Sequence, residues 1–253
     1  MKIIVTENYN ESCEYAAEII CRTVNEKPDC KLGLATGSTP LPIYKMLIEA
    51  NALGKVSFKQ VHTVNLDEYC ALDESNKQSY RYFMNVNLFD HIDIDKKNTY
   101  VPKGTGDLSR NIAELEKKIF EGGSIDLQLL GIGNNGHIGF NEASDVLHTG
   151  AHIEKLTQST IDANSRFFEN KADVPKEAIT MGIGDILSAK RSVLVASGLS
   201  KAEAIKSLIC NDTITAHNPS TILKLHKDAT VIIDKTLADA AGYTDYCVQK
   251  IIR

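Results

Sequence analysis

The chain has no basic block, no paired-cysteine motif, no long apolar run and no low-complexity linker, and each absence removes a class of function. Its 28 Lys and Arg against 33 Asp and Glu give a formal net charge of -5, so the basic stripe of a nucleic-acid surface is missing. A small anionic ligand stays open, because it needs only a few local cations. Cys13, Cys21, Cys30, Cys70, Cys210 and Cys247 form no CxxC pair and match no zinc spacing. They read as reduced thiols. The opening MKIIVTEN is too poor in apolar residues for a signal peptide, and nowhere do the roughly 18 apolar residues of a membrane helix run together. A soluble cytoplasmic protein without nucleic-acid or membrane partner is expected.

What is present is ordinary globular composition, 43% apolar and 24% charged, over a length that suits a single α/β domain spanning residues 1–253. Lys2 to Val5 reads as a strand, and residues 10–25 carry a helical stripe through Cys13, Ala16, Ala17, Ile20 and Val24. LGLAT at 32–36 reads as a strand running into GSTP, with Thr39 and Pro40 as cap and first residue of the next helix. VHTVNL, residues 61–66, predicts a strand closed by Asp67 and Glu68; residues 79–88 predict a helix, 90–107 a connecting loop and 109–120 an amphipathic helix. IDLQLL at 125–130 predicts a buried strand. The polar stretch 143–166 shows no strand period and reads as a lid-like loop. Residues 179–183, 192–196 and 230–233 predict further strands, 201–209 a helix, and the tail from Lys235 has helical composition. Strands alternating with helices imply an α/β fold with a mainly parallel sheet covered by helices on both faces. Ligands of such sheets bind outside the carboxyl ends of the strands. Gly37 to Thr39, Asp67 and the loop Gly131 to Glu142 are therefore expected to converge on one cleft.

The densest local signal is GIGNNGHIGFNE, residues 131–142. Its first half satisfies GxGxxG, but a dinucleotide fingerprint also wants a helix opening inside the motif and an acidic residue about 20 positions on at a strand end. HIGFNE is a poor helix start and Glu154 does not end a strand, so the fit is poor. His137 and Glu142 are close enough in sequence for the carboxylate to orient the ring, although a His satisfied by backbone would look the same. TGSTP offers free N–H groups and hydroxyls at a helix start, which suits a phosphate, although an ordinary capped helix would look the same. Arg166 and Lys201 are candidate cations that spacing alone does not place. Asp67, with an apolar strand behind it, is a candidate base or else a loop acid.

Five ordered motifs, TGSTP, VNLDEY, GIGNNGHIGFNE, NSRFF and GLSKA, resemble the glucosamine-6-phosphate deaminase family from about Ile3 to Ile233. The resemblance implies a Rossmann-like fold and a role in amino-sugar catabolism. It implies conversion of D-glucosamine 6-phosphate and water to D-fructose 6-phosphate and ammonium, with no cofactor, redox or metal. It assigns Asp67 as the carbon base between C2 and C1, and His137 as the ring-opening group with Asn135 and Glu142 as partners. Gly37, Ser38, Thr39, Arg166 and Lys201 fall to phosphate binding. The partner it implies is a small sugar phosphate; the family includes monomers and larger assemblies, and the short tail after Asp234 suggests a monomer or small homo-oligomer.

Two departures stand out. Many family members carry Asp where Asn135 stands, leaving Glu142 as the charged partner of His137 and implying an altered pH profile. Regulated members follow the motif with Pro and then a basic group for an allosteric amino-sugar phosphate; here Ala143 follows and Glu154 occupies the basic position. Little or no activation by N-acetylglucosamine 6-phosphate is expected. Neighbouring readings are a galactosamine-6-phosphate isomerase, a 6-phosphogluconolactonase-like hydrolase, and a non-catalytic sugar-phosphate sensor. The last would normally bring a DNA-binding segment, and this chain starts its first strand at Lys2.

Overall fold

The computed structural model describes residues 1–249. Its strands are β1 (Lys2–Thr6), β2 (Lys31–Leu34), β3 (His62–Asn65), β4 (Asp67–Tyr69), β5 (Thr99–Tyr100), β6 (Leu127–Leu130), β7 (His152–Lys155), β8 (Glu177–Thr180), β9 (Ser192–Ala196) and β10 (Ala229–Asp234). The helices are α1 (Tyr9–Glu26), α2 (Leu41–Ala52), α3 (Tyr80–Met84), α4 (Leu108–Phe120), α5 (Gln158–Asn164), α6 (Ile183–Leu187), α7 (Ala202–Ile209) and α8 (Lys235–Ala240). Seven strands form one sheet in the order β1-β10-β9-β6-β2-β3-β5, and every pairing in it is parallel.

Parallel order requires both faces to be covered, and the strands are built for it: β9 (SVLVA) and β10 (ATVIID) are buried along their whole length. Side chains alternate between two cores. Val193 and Val195 join Ile20, Ile43, Tyr44 and Leu47 of α1 and α2, while Leu194 joins Leu115, Ile119, Ile205 and Leu237 of α4, α7 and α8. The two cores share one sheet, so the chain is a single α/β domain. No helix among the described residues is long and apolar enough to cross a membrane, and the six cysteines are free.

The chain leaves β2 toward β3 on one side and leaves β6 toward β9 on the other. The sheet therefore has its switch point between β2 and β6, where ligands of open α/β sheets bind. The two glycine-rich loops of the sequence emerge there.

Four segments differ from the sequence-based expectation. The 90–107 loop contains the two-residue strand β5. The stretch 143–166, expected to be irregular, contains β7 and α5; its β7 pairs antiparallel with β8, and β8 with β4, in a second, three-stranded sheet. The run 179–183 ends as a strand at Thr180, and Ile183 opens α6. The 79–88 helix is present but loosens after Met84 into a wider turn of π-helix form over Asn85–Phe89. The tail is helical over Lys235–Ala240; residues 250–253 lie outside the described residues.

Candidate active site

At the carboxyl end of β2 the chain turns through residues 35–39 before α2. Gly37 takes φ of +94° there, in the left-handed region that a Cβ disfavours. Thr39 does not cap the helix as expected: α2 begins at Leu41, Pro40 is its boundary residue with helical angles, and no side chain caps it. Its hydroxyl therefore remains available, and among the described residues no protein group accepts the N–H of Gly37, Ser38 or Thr39. Two phenols hold this turn from behind. The Tyr44 hydroxyl donates to the Ala35 carbonyl at 2.5 Å and the Tyr9 hydroxyl to the Thr39 carbonyl at 2.7 Å.

Both cations that spacing did not place line the cavity that this turn faces. Arg166 Nη2 donates to Ser38 Oγ at 3.3 Å. Lys201 Nζ donates to the Ile132 carbonyl at 2.6 Å, so the anion end is tied to the loop after β6. Burial, and secondly the Arg166 charge, lower the Lys201 ammonium to about 8. An anion between the two cations would return it toward its ordinary value. The electrostatics favour an anion here.

The other end of the site is buried. Asp67 is 6% exposed, and burial, reinforced by the neighbouring Glu68, pushes its carboxyl up to about 8. It does not close the β3 strand as the sequence suggested. It starts β4, where it pairs with Thr180, an assignment no local pattern could supply. Glu68 points away to accept N–H bonds from Tyr69, Tyr80 and Arg81 at 2.8–3.0 Å, fixing the start of α3. Burial raises it to about 7 against the pull of those donors.

No helix follows GIGNNG; the chain runs on in turns to Glu142, so the dinucleotide geometry is absent. Instead the His137 ring packs on Gly133, where a Cβ would come within 2.3–2.5 Å of it. His137 Nδ1 lies 3.5 Å from Glu142 Oε2, within ion-pair reach though longer than a formed hydrogen bond. Asn135 Nδ2 donates to Glu142 Oε2 at 2.9 Å, and its Oδ1 accepts the His137 N–H at 3.3 Å. Burial alone would raise the Glu142 carboxyl, but His137, Thr160 and Asn135 together hold it down at about 2. Glu142 is thus a fixed anion beside the ring.

One cavity of about 620 Å³ joins these parts. Gly37, Ser38, Thr39, Asp67, Asn135, His137, Arg166 and Lys201 all line it, whereas Glu142 stands behind His137 at 4% exposure. The expected convergence is met. Sequence reasoning missed Tyr80 and Phe140, whose rings stack at 6.1 Å and 4° to form an apolar wall. Aromatic residues in a predicted helix and in a turn carry no mark that distinguishes such a wall from core. Asn134 and Ser200 also line the cavity and hydrogen bond to each other at 3.1 Å.

Comparison with known proteins agrees with this geometry. A glucosamine-6-phosphate deaminase of Clostridium beijerinckii is 50% identical over 241 residues, 95% of this chain and 99% of its own. One from Shewanella woodyi is 49% identical over 247 residues, 97% of this chain and 93% of its own. A solved monomeric glucosamine-6-phosphate deaminase superposes with a TM-score of 0.92 at 42% identity, covering 95% of this chain and 100% of its own. The 6-phosphogluconolactonase of Thermotoga maritima, at 20% identity and a TM-score of 0.72 over 92% of this chain and 98% of its own, shares the fold. The family model described as glucosamine-6-phosphate isomerases/6-phosphogluconolactonase matches residues 6–232, nearly the whole described chain. Fold, loop placement and sequence thus agree that the chain belongs to the glucosamine-6-phosphate isomerase/6-phosphogluconolactonase family.

Proposed function

We propose that this protein is a glucosamine-6-phosphate deaminase, converting D-glucosamine 6-phosphate and water to D-fructose 6-phosphate and ammonium. The observation that carries the reading is the union, in one cavity, of an anion-binding turn, a buried carboxylate and a His held by a fixed anion. The phosphate sits against Gly37, Ser38 and Thr39 and between Arg166 and Lys201, remote from the reacting carbons, so its binding energy positions the sugar. The segment 143–166 covers the cavity through α5 and Arg166.

His137 opens the pyranose, taking the proton of the anomeric hydroxyl and returning one to the ring oxygen, while Glu142 stabilises the imidazolium and Asn135 fixes Glu142. Asp67 then takes the C2 hydrogen of the open-chain aldehyde as a proton; its electron pair forms a C1–C2 double bond while the C1–O π pair passes to O1, which takes the proton that the 2-ammonium group gives up. Return of the proton to C1 leaves an imine at C2. Water adds to it and ammonium departs, which balances the reaction. A carboxyl poised near 8 is half a base only in mild alkali. The 2-ammonium group of the substrate, arriving beside it, favours the ionised form at neutral pH.

The buried carboxylate favours the deaminase over a lactonase, which needs an activated water but no carbon base. A galactosamine-6-phosphate isomerase differs in one hydroxyl, and competition between the two sugar phosphates decides that choice. The Glu154 carboxylate meets the His152 ring at 3.0 Å, so an anionic effector would face a carboxylate. N-acetylglucosamine 6-phosphate is not an activator in this reading. The enzyme works in the cytoplasm as a monomer or small oligomer. The test is an assay of purified protein with glucosamine 6-phosphate, following ammonium and fructose 6-phosphate together. Equal release supports the proposal; release of neither contradicts it.

A further inference from the structure

The two halves of the proposed chemistry lie far apart in sequence, Asp67 at the head of β4 and His137 with Glu142 in the loop after β6. Both are registered on one dipeptide at the end of β8, Thr180 and Met181. On one side, Thr180 is the strand partner of Asp67, and the Met181 N–H donates to the Leu66 carbonyl at 2.8 Å. On the other, Thr180 Oγ1 accepts the Phe140 N–H at 3.1 Å, and the Met181 carbonyl accepts from Asn141 Nδ2 at 2.9 Å. The fit between them is close. A Cβ on Gly139, whose φ is +56°, would stand 3.0 Å from Thr180 Oγ1 and 3.6 Å from Asp67 Oδ2. Thr180 is itself fully buried and does not line the cavity. It touches no substrate position.

We infer that Thr180 is a positioning residue that sets the separation between the carbon base and the ring-opening pair. Its backbone holds β4 and its hydroxyl holds the Gly139–Phe140 turn; Met181 bridges the same two sides through backbone groups alone, so the Thr180 hydroxyl is the bridging contact that a side-chain substitution can remove. The second peg, Asn141, uses its amide to tie Ile138 and Met181 together at 2.9 Å each, and keeps the turn near the sheet. Without the Thr180 oxygen, the buried Phe140 N–H loses its acceptor and the turn must move to find another. A displacement of about 1 Å at a reacting group can cost on the order of a hundredfold in rate. The anion end, which hangs from β2 and α2, is untouched by this contact.

The inference rests on the proposed deaminase reading, and one set of assays separates the two. Wild type is measured first for ammonium release from glucosamine 6-phosphate; if there is none, both fall. Thr180→Val, nearly isosteric but without an acceptor, is expected to lower kcat by on the order of ten- to a hundredfold. KM and the inhibition constant of inorganic phosphate should stay within about twofold, since those report the anion end. Thr180→Ser, which restores the oxygen, should recover kcat to within about threefold of wild type. A Thr180→Val protein with wild-type kcat overturns the inference, as does a Thr180→Ser protein as impaired as Thr180→Val. So does a rise in KM with kcat unchanged. If Thr180→Val does not fold by circular dichroism, Thr180→Ala against Thr180→Ser is the same contrast, with Ala expected to fall and Ser to hold.

Discussion

The two ends of the cavity are built on different principles. The anion end is built around a local turn: residues 37–39 lie between a strand and the helix that follows, backed by the Tyr9 and Tyr44 hydroxyls, and only its cations Arg166 and Lys201 come from distant segments. The reacting end is assembled from separate segments. Asp67 and the His137 loop meet where β4 and the loop both bond to Thr180 and Met181. The difference teaches that binding and chemistry here are held by separable supports, so a substitution at one end should leave the other's parameter nearly unchanged.

The largest expected effect breaks the chemistry alone. His137→Asn should lower kcat by on the order of 10²–10⁴, while competitive inhibition by inorganic phosphate stays as in wild type. An inhibition constant that moved with kcat would show the ends to be one unit. The mirror test is Arg166→Met, which removes a charged donor at the anion turn. Loss of a charge-assisted hydrogen bond costs about 1.5–3 kcal/mol, so KM and the phosphate inhibition constant should rise about 10- to 150-fold with kcat little changed. Initial-rate kinetics on both variants settle the contrast.

A smaller effect sharpens the local end. Tyr9→Phe deletes only the hydroxyl that holds the Thr39 carbonyl, a net contribution of roughly 0.5–1.5 kcal/mol. KM should rise about two- to tenfold, with kcat and its pH dependence unmoved. The smallest effect lies at the other end. Asn135→Asp replaces the amide that donates to Glu142 by a second carboxylate and so favours the imidazolium in the variant. The acid limb of kcat against pH should move upward, because an already protonated ring cannot take the anomeric proton, with kcat near neutrality within about threefold of wild type. A profile that does not move would remove Asn135 from the account of His137.

The same contrast explains what the sequence disclosed. The TGSTP turn is readable because a turn entering a helix is a short-range pattern; the cap is not, since Pro40 rather than Thr39 takes the boundary angles. Strands buried on both faces, such as β9 and β10, announced the parallel sheet through unbroken apolar runs. β5, with two residues, is too short to carry a period. HIEK of β7 is half-exposed and gains its strand geometry from pairing with β8. Asp67 looked like the end of a strand because its partner, Thr180, lies far along the chain. Roles at the reacting end came from resemblance; its supports came from the fold.

The central claim is that Asp67 is the carbon base, and kcat/KM for glucosamine 6-phosphate against pH, in wild type and Asp67→Asn, tests it most directly. The base must be ionised, so wild-type kcat/KM should climb as pH rises toward about 8, where the free-site carboxyl titrates. Asp67→Asn should lose on the order of a thousandfold or more in turnover at every pH while phosphate inhibition is retained. Its stability should move the opposite way. Because the folded value lies above the unfolded 3.8, ionisation opposes folding increasingly from pH 4 to 8, and removing the charge should raise the thermal midpoint in that range but not below it. An Asp67→Asn protein that still turns over substrate at the wild-type rate would contradict the account.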